Sequence, residues 1–313
     1  MRQVPEACEL VRVAFGLVTA VISLLVPGIG HTDTCDSFVH IQSWGTEGSG
    51  PGEFHLPSGI AIGPGGIIYV ADWGNFRVQK LDADGQYLSE WVLPCRDVAT
   101  DSQGNVYVVV SLQPGEVRKF DSSGALVGTW IVGPNPTTIA TDDHDSIYLL
   151  SHDLTNLESS IDKYSPSGSL LQALGNPQAL IGRGLAVESS GKVFVADQVG
   201  GVVRWFDPNA SLYGSFGVLA SPFDVAIAPD GALLVAERLG HAIHIFTGTG
   251  APLCSFGSYG DGPGEFNNPI SIAVDSQYGV YVLEHEGNRI QKFGFGLVQT
   301  TQTTWGRVKA ERR

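Results

Sequence analysis

The chain has 313 residues, among them 40 glycines, 17 prolines and one methionine, which suits many short strands joined by tight turns. Its formal charge of −14 repels phosphate backbones. The only basic run, Arg307, Lys309, Arg312 and Arg313, is too short to overcome that field, so nucleic acid is excluded as a partner.

The first segment with a distinct character is Val13–Val26, almost wholly apolar, preceded by Arg2 and Arg12 and followed by Pro27, Gly28 and Gly30. That is the anatomy of a secretory signal peptide over residues 1–30, and it is too short for a comfortable membrane span. Glu6 and Glu9, with Gly-Ile-Gly in place of Ala-x-Ala, leave an uncleaved apolar anchor as the alternative. The expected location is therefore periplasmic, extracellular or cell-surface, with membrane contact only through an uncleaved leader. Removing the leader takes Cys8 and leaves Cys35, Cys95 and Cys254, enough for one disulfide and one free thiol in any of three pairings. No lipidation is expected at Cys35, which follows His31-Thr32-Asp33-Thr34.

Phe38–Trp44 alternates apolar and polar residues and reads as one strand standing ahead of a repeated unit. Within that unit the pattern gives strands over Gly59–Gly63, Ile67–Asp72, Arg77–Asp82 and Tyr87–Leu93, with turns at 64–66, 73–75 and 83–85. Residues 256–293 repeat residues 44–81 without a gap, from Gly48–Phe54 against Gly260–Phe266 to Arg77, Gln79 and Lys80 against Arg289, Gln291 and Lys292. Weaker copies lie between, keyed by Val98-Ala99, Ile139-Ala140, Leu185-Ala186 and Val225-Ala226. The third carries a polar insertion, Ser151–Ser160. Hairpin-linked strands of this length leave no room for crossover helices, so the class is all-β, with antiparallel four-stranded units. Past Phe293 the pattern fades into a tail, 294–313, in which Leu297–Thr304 competes with Phe38–Trp44 as the strand that closes the ring. The apolar content of Phe38–Trp44 favours the N-terminal strand.

Gly52–Asp82 reads Gly-x-Phe-x-x-Pro-x-Gly-Ile-Ala, then Ile-Tyr-Val-Ala-Asp, then Asn-x-Arg-Val-Gln-Lys-Leu-Asp, and it resembles the NHL repeat. The resemblance implies a six-bladed β-propeller over residues 38–293. It leaves function open, because NHL propellers serve as RNA readers, amidating lyases, sensor domains and docking surfaces.

In such a propeller the innermost strand of each blade begins at the mouth of a central channel, and the turn after the second strand lies on the same face. The first mouth positions are then Ser58, Arg96, Thr137, Arg183, Phe223 and Ile270, and the next are Gly59, Asp97, Thr138, Gly184, Asp224 and Ser271. Amidating lyases of this fold hold zinc on histidines after the blade-opening proline, where this chain has Ser58, Thr137, Phe223 and Ile270. Its eight histidines are scattered, and those after the second strands, His152 and His285, read as surface residues. No catalytic set, metal or cofactor is expected. The candidate ligand-binding residues are Ser58, Trp73, Arg96, Asp97, Thr137, Arg183, Phe223 and Asp224. The two arginines suit a carboxylate or phosphate unless Asp97 and Asp224 neutralise them. Trp73 and Phe223 suit a peptide or glycan.

Asp72, Asp197, Glu237 and Glu284 end their second strands in equivalent places and read as acceptors for the following turn or for Arg77 and Arg289. The function expected is that of a non-catalytic, exported, monomeric propeller binding a protein, peptide or glycan at its mouth. A metal-dependent lyase or lactonase acting in the channel is the alternative.

Overall fold

The computed structural model describes residues 38–295 apart from 111–113, 154–157, 176–180 and 208–211. The leader, Cys8, Cys35, His31 and the tail beyond 295 lie outside the described residues.

Six four-stranded antiparallel sheets form the domain. Blade 1 is Gly59–Ile62, Ile68–Asp72, Arg77–Leu81 and Tyr87–Val92, each strand within a residue of the span its sequence pattern gives. Blades 2 to 5 follow in chain order with the same four-strand meander. Blade 6 takes three strands from Pro269–Val274, Val280–Glu284 and Arg289–Phe295, and its outer strand is Phe38–Trp44, paired antiparallel from Phe38 against Phe295 to Trp44 against Ile290. Inner strands touch those of both neighbouring blades all the way round, including Gly59–Ile62 against Pro269–Val274. The N-terminal strand thus closes the ring by hydrogen bonds and leaves blade 6 no unpaired third strand.

The core lies between blades. Each of six buried apolar clusters draws on two neighbours. Successive side chains of a strand point to opposite faces, and here both faces are covered. Ile68 and Val70 pack toward blade 6, while Tyr69 and Ala71 pack toward blade 2. In blade 2, Val106 and Val108 pack toward blade 1, and Tyr107 and Val109 toward blade 3. This is why Ile-Tyr-Val-Ala and its copies are continuous apolar runs instead of alternating ones.

The third blade differs from its sequence reading. Ser151–Ser160 is not an insertion between strands, because its ends lengthen the hairpin, pairing Ser151 with Ser160, His152 with Ser159 and Asp153 with Glu158. Cys95 is free and buried, and its thiol donates to the Arg77 carbonyl at 2.9 Å while burial pushes it up to about 12. Cys254 is disulfide-bonded, and because Cys95 is free the two pairings that use Cys95 are excluded.

The two strong repeats owe their likeness to one buried knot. The Arg77 side chain uses all five donors: Nε to Asp72 (2.8 Å), Nη1 to Ser49 O and Glu90 (2.8 and 2.9 Å), Nη2 to Gly50 O and Glu53 O (2.9 and 2.8 Å). Gln79 completes it, taking Gly52 N and giving to Glu53 O. The Gly-x-Gly-Pro-Gly-Glu-Phe loop is thereby folded onto the top of its blade, with Gly45 at φ +97°, where a Cβ would strike the Phe54 ring at 2.5 Å. Arg289, Gln291 and Glu284 repeat the arrangement under residues 260–266. Arg289 is the more exposed of the two arginines, and its one ion pair among the described residues is with Glu284. A lysine has three donors and no planar fork. Arg77→Lys is therefore expected to lower the unfolding free energy by about 3 kcal/mol, and Arg289→Lys by roughly half as much. Denaturant midpoints at unchanged slope check the ranking.

Candidate functional site

All eight sequence-predicted residues line one cavity of about 240 Å³ at the mouth of the channel, together with Thr138, Arg238, Ile270, Ser271 and His285. Asp97, Thr138, Asp224 and Ser271 also line the next compartment down, so they form the neck between the two.

The neck has an approximate twofold pattern. Reading round the ring, its positions are Gly59, Asp97, Thr138, then Gly184, Asp224, Ser271. Each glycine makes room for the following aspartate, since a Cβ on Gly59 would meet Asp97 Oδ1 at 2.1 Å and one on Gly184 would meet Asp224 Oδ1 at 2.0 Å. Each aspartate accepts its own strand's next amide and one from the next blade. Asp97 takes Val98 N (2.9 Å) and Ile139 N (3.0 Å), and Asp224 takes Val225 N (2.8 Å) and Ile272 N (2.9 Å). Ser271 Oγ donates to Asp224 at 2.9 Å and accepts Ile60 N at 3.3 Å, while Thr138 Oγ1 donates to the Arg183 carbonyl. Among the described residues neither aspartate forms an ion pair with Arg96 or Arg183, the alternative that the sequence left open. The carboxylates are blade-to-blade staples, and their partners are backbone amides.

Although both carboxylates touch the lumen, the blades around them strip away bulk water. Burial raises Asp224 to about 7 despite its hydrogen bonds. Asp97 is raised well above the usual carboxylate range by burial and then by the charge of Asp224.

Above the neck the charge reverses. Arg183 and Arg238 both lie over the Phe223 ring, at 5.4 and 5.5 Å from its centroid. Arg183 Nε donates to Gln198 at 2.7 Å, and Arg238 Nε is buried without a partner. None of Arg96, Arg183 and Arg238 forms an ion pair with a carboxylate among the described residues. Burial lowers Arg183, as do the charges of Arg96 and Arg238. Trp73, 38% exposed, and Ile270 supply apolar wall.

Two residues contradict their sequence reading as surface groups. His285 lines the cavity and donates from Nδ1 to Pro57 O at 2.9 Å, leaving Nε2 as its free edge. His152, in blade 3 across the ring from it, is half-buried, with Nε2 against Gly182 O, and burial lowers its pKa. The repeat template held the signal for His285 and Arg238, because the column aligned with Trp73 reads Trp73, His152, Gln198, Arg238 and His285; Trp73 was kept from it as a candidate, and the two histidines were set aside as surface residues. The acids ending those strands point into the blades: Asp72 to Arg77, Asp197 to Arg204, Glu237 to His244 and Glu284 to Arg289. Among the described residues no group of three or more His, Cys, Asp or Glu side chains gathers as a ligand set for a metal.

The NHL repeat family model matches residues 54–81. The chain is 40% identical over 55 residues to NHL repeat-containing protein 3 of Homo sapiens, covering 17% of this chain and 16% of that protein. It is 28% identical over 123 residues to the probable peptidyl-alpha-hydroxyglycine alpha-amidating lyase pgal-1 of Caenorhabditis elegans, covering 35% and 33%. It therefore spans a third or less of these relatives. In fold it is similar to a gluconolactonase from Xanthomonas campestris, with a TM-score of 0.63 at 15% identity over 78% of this chain and 87% of that one.

The raised aspartates make a pH prediction. A carboxyl whose folded pKa lies above its unfolded value favours the fold while protonated, so the advantage is complete below about 4 and is lost as pH rises through about 7. For Asp224 the loss is on the order of 4 kcal/mol at most. His152 acts in the opposite direction, so the comparison must be with a variant that keeps it. Between pH 5 and pH 8 the melting temperature of Asp224→Asn is expected to fall by several degrees less than that of the wild type, read by calorimetry.

Proposed function

The chain is an NHL-repeat protein folded as a six-bladed β-propeller, and from that premise we propose that it binds an anionic ligand, a carboxylate or a group of like shape, in the mouth of its channel. One observation carries the reading. In a chain of net charge −14, three arginines line a single cavity without carboxylate partners among the described residues, and one of them holds a buried donor with no partner there. A guanidinium set in place by stacking on Phe223 presents its remaining N–H groups in a fork that matches a carboxylate. Burial around it keeps bulk water from screening the attraction. An exported location fits the disulfide at Cys254, a bond that persists in oxidising compartments.

A second reading, an enzyme working in the channel, is favoured by His285. With Nδ1–H committed to Pro57, its Nε2 is a base on the cavity wall facing the space where the arginines hold an anion. At the neck Asp97 and Asp224 are the only carboxylates lining the cavity, and among the described residues no third His, Cys, Asp or Glu joins them as a ligand set for a divalent metal. Turnover of an aldonolactone or a peptidyl-α-hydroxyglycine, lost in His285→Gln, would establish this reading over simple binding.

Calorimetric titration with N-acetyl-L-glutamate, D-glucuronate and sulfate tests the anion site. At least one is expected to bind, with Arg183→Ala weakening it tenfold or more, about 1.4 kcal/mol. Affinity should also fall as pH rises through about 7, because an ionised Asp224 then lies beneath the bound anion. No binding by any of the three, or equal binding by Arg183→Ala, rejects the site.

A further inference from the structure

The cavity has a distinctive surround. Among the described residues, exposed large apolar side chains lie either on the outer strands of the blades or on the loops of the mouth face, where they are Trp73, Phe76, Val199, Val218, Leu239 and Tyr259. The turns of the opposite face carry none. The depression there is lined by Asp101, Asp142, Asp143, Asp145 and Asp275 with a single lysine, Lys292. One end of the channel is therefore acidic and polar, and the other is cationic at its hub and apolar at its rim.

Three of the six rim residues form one patch. Val199 and Leu239 occupy the same place in the turns of adjacent blades 4 and 5, two residues after the acids Asp197 and Glu237, and are 59% and 63% exposed. The connector between those blades carries Val218 at 99% exposure. Backbone hydrogen bonds stitch it to both turns, Leu219 N to Gly201 O and Arg238 N to Ser221 O, each at 2.9 Å. Gln198, the hydrogen-bond partner of Arg183, reaches Ser221 in the same connector at 3.3 Å. The patch therefore sits directly beside Arg183, Phe223 and Arg238, on loops held in place before any partner arrives.

We propose that this face docks a protein segment in which a carboxylate is flanked by large apolar side chains, the carboxylate entering the cavity against Arg183 and Arg238 and the apolar residues lying over Val199, Val218 and Leu239. The proposal rests on the anion site described above and names its partner. Charge complementarity sets the acid, because the arginines have no carboxylate of their own. The aliphatic patch sets the neighbours, because valine and leucine side chains offer contact area and no hydrogen bonds, which a hydroxyl-covered sugar does not use. The net charge of −14 disfavours an extended polyanion, which would pay for one matched group with many unmatched ones.

Selection of a displayed random nonapeptide library on the full chain tests this. Enriched peptides are expected to carry Asp, Glu or a free C-terminus within two residues of Leu, Ile, Val, Phe or Trp. The triple variant Val199→Ser, Val218→Ser, Leu239→Ser should bind a selected peptide at least tenfold more weakly and N-acetyl-L-glutamate as before, while Arg183→Ala weakens both. Peptides enriched without an acid or without apolar neighbours, no enrichment, or equal binding by the triple variant overturn the proposal. So does binding of phosphatidylserine vesicles or a heparin oligosaccharide, but of no peptide, through those three residues. If N-acetyl-L-glutamate binds and no acidic-apolar peptide is enriched, the docking surface fails alone; if neither binds, the anion site fails with it.

Discussion

No blade in this ring can cover its own second strand. Ile68 and Val70 need blade 6, Tyr69 and Ala71 need blade 2, and the same division recurs at Val106–Val110 and onward. A fully buried Leu, Ile or Phe contributes about 1.5–3 kcal/mol relative to exposure, and here nearly every such contribution belongs to a pair of blades. The first and last blades are stable only if they meet. Phe38–Trp44 enforces the meeting: it pairs with the third strand of blade 6 while Trp44 stacks on Tyr281 and joins the cluster shared with blade 1. Closure is thus a condition of the core.

The site inherits its geometry from that closure. Six inner strands brought edge to edge place their first residues round one axis, whatever those residues are, and the chain exploits the crowding with hydrogen bonds that run from blade to blade. Asp97 reaches Ile139 and Asp224 reaches Ile272, 42 and 48 residues away in sequence, and Ser58 Oγ donates to Arg96 O at 2.7 Å. These contacts tie the neck into a girdle just where the cavity needs a rigid floor. Carboxylates can serve as staples so deep in the channel because each accepts two amides, and burial outweighs those amides, raising Asp97 well above the usual carboxylate range and Asp224 to about 7.

The ring was legible in the sequence because turn chemistry and register repeat: Asp-Gly and Gly-rich turns recur at fixed offsets, and the copy at 256–293 fixes the period. The mouth residues on the inner strands were legible for the same reason, as an alignment column is a place in space once the blade is known. Two kinds of feature were not. His285 and Arg238 belong to a second column, the residue aligned with Trp73; the sequence places that turn on the mouth face, but two histidines in blades far apart in the ring read as surface residues, and Arg238 was not singled out. The fate of Asp97 and Asp224 was hidden more deeply. An arginine one residue away, as Arg96 is to Asp97, invites an ion pair, yet both oxygens of Asp97 are taken by amides, one of its own strand and one of the next blade. Ser151–Ser160 misled differently, since polar residues that extend a hairpin past the sheet read as a loop.

What sets this propeller apart from its acidic surface is that its positive charges are left unspent at one place. Arg77, Arg204 and Arg289 show what the chain does with an arginine it uses for structure: each is paired within its own blade to the acid that ends the second strand. Arg96, Arg183 and Arg238 stand in the same domain and form no ion pair among the described residues; Arg183 and Arg238 are instead stacked on an aromatic ring, the first hydrogen-bonded to a glutamine and the second left with a buried N–H. Removing part of the water from three like charges and holding them together is costly, as the lowered pKa of Arg183 registers. An internal carboxylate would relieve that cost, and the nearest candidates, Asp97 and Asp224, are bound to amides and partly neutralised by burial. The unrelieved charge lies at the open end of the channel, on the face that also carries the exposed aliphatic patch. The proposed anion site follows from that arrangement: a ligand from solution that is negatively charged and small enough to reach the hub would relieve the cost.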